Sequence, residues 1–265
     1  MATAAILALA LAGVPAHAQG PSVDQLLERV FDAGQRQPTE FSSEFSADLT
    51  LRAPLGTFVA QGQGTYVQWR RPGEKTRQRV VVTKLDVPFL LRPFQGYLKK
   101  FIGEKVEGQV EQGNVLNEHD VFLLDEKAGD LWVLAGVRHD IVGDFMKKYG
   151  RQSDVKDRLA RRAIAKWMYT RMRSQIVKPG GPYVFQATID SEGNIRDLLL
   201  QYDWGPVRTK IDYVKIRGNT VWEKVVVDSM TVLGDWGRIE GLLNMRFSNF
   251  CFNNCVKPEL VSKTN

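Results

Sequence analysis

The sequence predicts an α+β fold: a curled, unclosed antiparallel β-barrel of about nine to eleven strands, with helices covering its concave face. Three observations support this prediction. Apolar and polar residues alternate over most of the chain, turn sequences rich in glycine and proline separate these stretches, and amphipathic helical segments interrupt them. Because each strand has one apolar face to bury and a sheet of this size curls, the helices are expected to close the concave side.

The composition is that of a folded protein that can bury its own core. The chain has 265 residues, of which 43% are hydrophobic and 25% are charged, and its net charge is +6. Residues 144–178 contain eleven basic and three acidic residues, so the positive charge is local and the rest of the chain sums to −2. Three histidines and two cysteines leave little material for a metal centre, and we expect neither a metal nor a cofactor.

The N-terminus reads as a secretory signal peptide over residues 1–18. A short apolar run ends in Ala16-His17-Ala18, a small-x-small cleavage pattern, and it is too short to span a bilayer. The prediction is cleavage after Ala18, export to the periplasm and one mature domain over residues 19–265. A buried N-terminal helix is the alternative. No cysteine follows the cleavage site, so acylation there is not expected.

The first half of the mature chain predicts a helix followed by strands. Residues 22–36 carry apolar residues on one stripe behind Ser22, which can cap the helix. Strands are predicted over 45–52, 57–69 and 75–86, and the glycines at 62 and 64 suggest a bend or bulge in the second of them. The segment 88–110 mixes prolines and glycines with large apolar residues and is read as broken helix or an apolar loop.

The second half predicts a hairpin, a long helix and further strands. Residues 119–125 and 131–138 form the hairpin, and 144–177 form the main helical segment. On that helix an apolar face that includes Leu159, Ile164 and Trp167 opposes a basic face. Alternation resumes at Tyr183 and continues to the C-terminus. The basic face, predicted to meet an anionic membrane, consists of Arg158, Arg161, Arg162, Lys166 and Arg173. A solvated surface without a partner is the alternative.

The two cysteines, Cys251 and Cys255, are expected to form a disulfide after export. Four residues of straight strand would hold them too far apart, but Asn253-Asn254 can supply a turn that brings them together. A redox pair and two separate thiols are the alternatives.

Three short segments resemble a known family. They are Phe41-Ser42-Ser43-Glu44-Phe45 after the first helix, Gly64-Thr65-Tyr66-Val67-Gln68-Trp69-Arg70-Arg71-Pro72-Gly73 at the end of a strand, and Phe247-Ser248-Asn249-Phe250 near the C-terminus. In this order the chain is similar to the LolA/LolB-like superfamily of periplasmic lipoprotein carriers. The resemblance implies an unclosed barrel that holds acyl chains of lipoproteins or lipids and moves them between membranes, without enzymatic activity.

The resemblance also implies positions for a ligand and its cover. In such proteins the arginine of the Arg-Pro turn holds the helical lid, and Arg71 is the matching position; Trp167 is a second candidate for lid contact. Acylated protein or phospholipid is the implied cargo, and a monomer is expected. The candidate lining residues, taken from shared strand faces, are Phe45, Leu49, Phe58, Tyr66, Tyr183, Phe185, Leu198, Leu200, Ile211, Leu243 and Met245.

The residues themselves offer other functions. Glu118-His119-Asp120 and His139-Asp140 place carboxylates beside histidines, as a hydrolase could require, but neighbours on a strand point to opposite faces, and surface polar residues at strand ends are the simpler interpretation. Nucleic-acid binding would use the basic helix, but export argues against it. An envelope sensor or regulatory module with the same lipid-binding fold is the remaining alternative.

Overall fold

The computed structural model describes residues 20–70, 77–100, 112–127, 130–149, 156–232 and 237–252. The predicted signal peptide lies outside these residues. Short 3-10 helices span Phe89–Phe94 and Arg173–Gln175. The α-helices and strands follow in the order α1 (Val23–Arg36), β1 (Glu40–Ala53), β2 (Gly56–Trp69), β3 (Arg77–Asp86), α2 (Gln112–Asn117), β4 (His119–Lys127), β5 (Leu131–Arg138), α3 (His139–Tyr149), α4 (Arg158–Met172), β6 (Val184–Ile189), β7 (Ile195–Tyr202), β8 (Gly205–Ile216), β9 (Asn219–Val232) and β10 (Arg238–Phe252).

The strands form one antiparallel sheet in the order β3-β2-β1-β10-β9-β8-β7-β6-β5-β4. Nearly all pairs of described strands join neighbours along the chain. The one exception among them is the pair of β1 and β10, which joins the N-terminal strands to the C-terminal ones. Over the described residues, β3 and β4 are the two edges, so the sheet is not closed into a barrel. The predicted α+β class, the strand number and the open antiparallel sheet are confirmed.

Aromatic contacts show which face of the sheet is concave. The ring centroids of Tyr66 on β2 and Trp222 on β9 are 5.4 Å apart, although β1 and β10 lie between their strands. In a flat sheet three strand spacings would separate these strands by about 14 Å. The sheet therefore curls toward the face that carries both rings, which we call the inner face. The predicted irregularity in β2 is confirmed by a register shift between Gln63 and Gly64.

The inner face is largely apolar from β1 to β5. One row in register runs across seven strands from β1 to β5 and contains a single polar residue, Thr209. The row is Leu49, Leu243, Val227, Thr209, Leu198, Ala187 and Leu134. The packing divides into two clusters on this face, one around β1, β2 and β8–β10 and the other around β4–β7. Such a continuous surface requires cover from outside the sheet.

Helices supply that cover from two directions. Leu26 and Leu27 of α1 pack on the β4–β7 cluster, and Leu116 of α2 joins them. Leu98, in the helical residues 95–100, packs on the other cluster. Leu98 and Leu116 belong to the described parts of the connection between β3 and β4, and both pack over the inner face.

The basic helical segment lies elsewhere than predicted. It forms two helices, α3 and α4, with Asp157 capping α4 through a hydrogen bond from the Leu159 backbone N–H. Both helices pack on the outer face of β4–β6, where Ala165, Met168 and Tyr169 of α4 are buried. The expectation that this segment covers the concave face is therefore wrong. The physical reason is that β5 is buried on both faces, so its outer face also needs a cover.

Candidate functional site

Ten of the eleven predicted lining residues lie on the inner face. Phe58 and Leu200 are half-buried. The other eight on this face are buried, and they are Phe45, Leu49, Tyr66, Phe185, Leu198, Ile211, Leu243 and Met245. Their shared face follows from the strand register, whereas their contact with a ligand stays a prediction.

Tyr183 is the exception, and its placement on the inner face was wrong. It packs in the outer cluster with Met168 and Ile176. The reason is that β6 begins only at Val184, so Tyr183 precedes the strand and its side chain does not follow the alternation that puts Phe185 on the inner face.

Helix α1 is the cover that lies next to the candidate site. Its start is fixed by a capping box, in which the Ser22 hydroxyl accepts a hydrogen bond from the Gln25 backbone N–H and the Gln25 side chain accepts one from the Ser22 N–H. Leu26 and Leu27 are its only buried residues, and Val23 and Val30 are partly buried beside them. The apolar contact between α1 and the sheet is therefore confined to one short stripe.

Polar contacts hold the two ends of α1. At its start, Asp24 forms ion pairs with Arg158 at 2.8 Å and Arg162 at 2.7 Å, both from α4. These arginines, and above all the hydrogen bond from Arg162, lower the pKa of the Asp24 carboxyl. At its end, Arg36 donates a hydrogen bond of 2.7 Å to the backbone carbonyl of Glu192 in the β6–β7 turn. Both attachments lie at the protein surface.

A cavity of about 690 Å³ lies between α1, α2, the β4 edge and the start of α4. Its apolar wall consists of Leu27, Phe31, Leu116 and Val121, and three of these four belong to the inner-face cluster under α1. The exposed side chain of Phe31 stands at its solvent side. Its polar wall consists of Asp24, Glu28, Asn117, His119, Asp120, His139, Lys156, Arg158, Arg161 and Arg162. The cavity is thus lined by apolar side chains on one part of its wall and by polar and charged side chains on the rest, which we call the rim.

A buried ion pair forms one side of the rim. Arg161 donates two hydrogen bonds to the Asp120 carboxylate, from Nε at 3.0 Å and from Nη2 at 2.7 Å. Arg161 Nη2 also donates to the backbone carbonyl of His139 at 2.8 Å, and His139 Nδ1 lies 3.1 Å from Asp120 Oδ2. Such a bidentate, charge-assisted contact fixes α4 to the start of β4.

The two histidines of the rim have both ring nitrogens engaged by the protein. His119 contacts the carbonyls of Val115 at 2.6 Å and Pro182 at 3.1 Å, and burial lowers its pKa to about 4 against the opposing effect of these two contacts. His139 contacts Asp120 and the Asn117 carbonyl, the latter at 3.0 Å. Each ring nitrogen of the two histidines thus already contacts a protein oxygen. The expectation that His119 and Asp120 are surface residues is wrong, because both are buried.

The predicted membrane-facing set is corrected in part. Arg161 and Arg162 are mostly buried in their ion pairs, so they do not form an exposed face. Arg158 is exposed but pairs with Asp24, and the guanidinium of Arg173 lies over the Tyr169 ring at 5.0 Å. Lys166 is exposed, as predicted.

The remaining predicted positions have different outcomes. Trp167 does not contact the inner-face cover; its ring packs on Phe145 of α3, with centroids 5.6 Å apart. Arg71 lies outside the described residues. Cys251, near the end of β10, is disulfide-bonded, whereas its predicted partner Cys255 lies outside the described residues, so the pairing itself stays a prediction.

The cavity rim was not found from the sequence. Asp24 looked like an ordinary first-turn acid, and Asp120 looked like one of several charges at a strand end. A signal was present in the uninterrupted apolar run Leu131-Trp132-Val133-Leu134-Ala135, which is typical of a strand buried on both faces. This run indicates that the outer face of β5 is covered, but it identifies neither the helix that covers it nor the burial of Asp120.

Within the described ranges, no group of three or more histidine, cysteine, aspartate or glutamate residues is placed to hold a metal ion. A search of the same residues for a helix with the length and hydropathy of a membrane span finds none.

No protein-family model matches the sequence, and no curated protein matches it significantly. Similar solved structures include a domain from Vibrio parahaemolyticus assigned to outer membrane lipoprotein sorting, with 8% identity over 89% of this chain and 96% of that chain and a TM-score of 0.42. A DUF1329 family protein from Desulfovibrio piger has 9% identity over 91% and 98% of the two chains and a TM-score of 0.44. A LolA superfamily protein from Nitrosomonas europaea has 10% identity over 92% and 99% and a TM-score of 0.38.

Proposed function

We propose that the protein binds the acyl chain of a lipid or lipoprotein between α1 and the inner face, and that it carries this cargo between membranes without chemical change. The observation that carries the proposal is the cavity beside α1, whose apolar wall continues into the inner-face cluster. Its volume of about 690 Å³ lies within the usual range of small-molecule sites, about 300–1,000 Å³.

The way α1 is attached supports a movable cover. Only Leu26 and Leu27 are buried, and each contributes about 1.5–3 kcal/mol on burial. The exposed ion pair between Asp24 and Arg158 adds about 1 kcal/mol or less, and the pair with Arg162, whose side chain is mostly buried, adds more. Displacing α1 would therefore cost a few kcal/mol, which an acyl chain can offset by burying its methylenes at about 0.8 kcal/mol each.

The charged rim supports an amphiphilic cargo. Lys156 and Arg158 are exposed at the same cavity whose interior holds Leu116 and Val121. A polar headgroup would stay at the rim while the chain enters the apolar interior. We further propose that the protein acts in the periplasm, which the signal pattern of residues 1–18 supports, and that it acts there as a monomer.

The test is binding of a fluorescent fatty acid and of a diacylated peptide to the purified protein. Phe31→Asp places a charge at the apolar mouth of the cavity and is expected to raise the Kd about tenfold or more. The matched control, Leu55→Asp, changes an exposed apolar residue in the β1–β2 turn and should leave the Kd unchanged.

Transfer of the diacylated peptide between donor and acceptor vesicles tests the carrier role. The protein should accelerate transfer, and Phe31→Asp should reduce the acceleration. A folded protein that binds neither ligand would refute the proposal. Binding without transfer would favour a sensor over a carrier. Release of free fatty acid from the diacylated peptide would indicate a hydrolase.

A further inference from the structure

An exposed aromatic cluster lies on the side of α3 and α4 that faces away from the sheet. Tyr149 is 66% exposed, Trp167 is 46% exposed, and the ring of Phe145 joins them at centroid distances of 4.9 and 5.6 Å. Leu159, two helical turns before Trp167, is 74% exposed. We call Tyr149, Leu159 and Trp167 the outer aromatic face.

The orientation of α4 explains this exposure. At 100° per residue, Leu159 and Trp167 lie opposite the side formed by Ala165 and Met168, which pack on the sheet. The folded protein therefore exposes large apolar side chains to water, although the exposed side of a helix usually carries polar residues such as lysine or glutamine. Large apolar side chains exposed together on one side of a helix pair indicate an interaction surface.

Cations surround the outer aromatic face. Lys148 lies over the Tyr149 ring, with its Nζ 5.0 Å from the ring centroid. Five exposed basic residues of α3 and α4 and of the residues just before α4 have no ion pair with any described residue. They are Lys147, Lys148, Lys156, Lys166 and Arg171.

The described acids of α3 and α4 leave this positive charge uncompensated. Asp140 and Asp144 both pair with Lys178, at 2.9 and 3.1 Å. Asp157 is occupied as the cap of α4. The face thus presents apolar rings among cations.

We propose that the outer aromatic face docks the protein on an anionic lipid bilayer. Tryptophan and tyrosine favour the headgroup region of a bilayer, and leucine adds apolar contact below it. Each basic residue near an anionic surface strengthens binding about fivefold. A second copy of this chain would bring the same cations against each other, which favours lipid as the occupant. The proposal does not depend on what fills the cavity.

Docking on this face would bring the cavity to the bilayer surface. Lys156 and Arg158 line the cavity, and in the sequence both come shortly before Leu159 of the outer aromatic face. The cavity mouth and the face therefore meet at the start of α4.

The experiment measures flotation of the full chain with phosphatidylcholine vesicles, with and without phosphatidylglycerol. Lys148→Gln with Lys166→Gln should weaken binding to the anionic vesicles about 25-fold, and Leu159→Ser with Trp167→Ser should weaken it as well. The matched controls, Lys210→Gln with Arg246→Gln, remove the same charge from exposed positions of β8 and β10 and should leave binding unchanged.

Site specificity is tested by brominated-lipid quenching of tryptophan fluorescence, which should occur in the parent and fall in Trp167→Phe. Circular dichroism confirms that each variant is folded. Absence of vesicle binding by the parent overturns the proposal, and so does equal weakening by test and control variants. Concentration-dependent dimers that Leu159→Ser with Trp167→Ser abolishes would assign the face to self-association and also overturn it. Fatty-acid binding is measured separately, without vesicles. A failure of membrane docking can then be distinguished from a failure of the proposed cargo binding.

Discussion

Replacing Arg161 by glutamine is expected to destabilise the fold strongly, whereas the same change at Arg158 is not. From the sequence alone the two arginines belong to one basic helix face and should behave alike. In the structure the Arg161 side chain is 17% exposed and its partner Asp120 is 4% exposed. The Arg158 side chain is 68% exposed and its partner Asp24 is 56% exposed.

The magnitude follows from what each substitution leaves behind. Arg161→Gln leaves the Asp120 carboxylate buried without its bidentate partner, and breaking a buried pair in this way costs about 3–5 kcal/mol. Arg158→Gln removes one of two arginines from an exposed carboxylate and costs about 0–1 kcal/mol. In a protein of this size, the first loss lowers the Tm by about 6–20 °C.

Urea unfolding at neutral pH, followed by circular dichroism, measures both variants. Salt gives an independent check, because screening should shrink the effect of Arg158→Gln and leave that of Arg161→Gln nearly unchanged. In Asp120→Asn the further change Arg161→Gln should cost less than it does in the parent, as expected for two partners of one contact. Equal effects of Arg158→Gln and Arg161→Gln would refute the reasoning.

Three further outcomes are expected. Burial lowers the pKa of His119 from 6.5 to about 4, so the unfolded chain binds more protons than the folded one between these pH values. The free energy of unfolding should therefore fall by about 3 kcal/mol as the pH drops from 6.5 to 4. The fall should be smaller in His119→Asn. Gly193 and Gly180 have nearly the same φ, +86° and +87°, but a Cβ added at Gly193 would lie within 3 Å of the α1 backbone, whereas one at Gly180 would meet open space. Gly193→Ala should therefore lower the free energy of unfolding in urea by about 1–3 kcal/mol more than Gly180→Ala. Cys251 and Cys255 should resist alkylation in unreduced, denatured protein, and full labelling of both would exclude the disulfide.

Much of the fold could be predicted because alternation and turn chemistry are local signals. The strand β2 was predicted within one residue of its observed start, and α1 was predicted from the stripe behind Ser22, which does cap it. Period two also assigned residues such as Leu49 and Leu243 to one face, and their register across β1 and β10 confirms it. These features depend on neighbours along the chain, which a sequence displays directly.

The placement of α4 could not be predicted, because it depends on which face of β5 lacks a cover. Helical periodicity identifies a buried side only when that side is the most apolar one. In α4 the buried side contains Ala165 and the arginine of a buried ion pair, Arg161, whereas Leu159 and Trp167 remain exposed. The apolar residues therefore pointed to the wrong side of the helix. Arg161 is on the buried side because it pairs with the buried Asp120, and only the three-dimensional structure shows this contact.

The contacts of α4 also limit how far membrane docking could loosen α1. Anionic headgroups at the outer aromatic face would compete with Asp24 for Arg158, because that arginine is exposed beside Leu159. The surface pair contributes about 1 kcal/mol at most, so its loss should raise the opening of α1 by no more than about fivefold. Arg162 would still hold Asp24, since its own side chain is mostly buried. Hydrogen exchange of the α1 amides, measured with and without anionic vesicles, tests this limit. Opening that rises a hundredfold or more would show that docking also breaks the contact between Arg162 and Asp24 or strips α1 from the sheet.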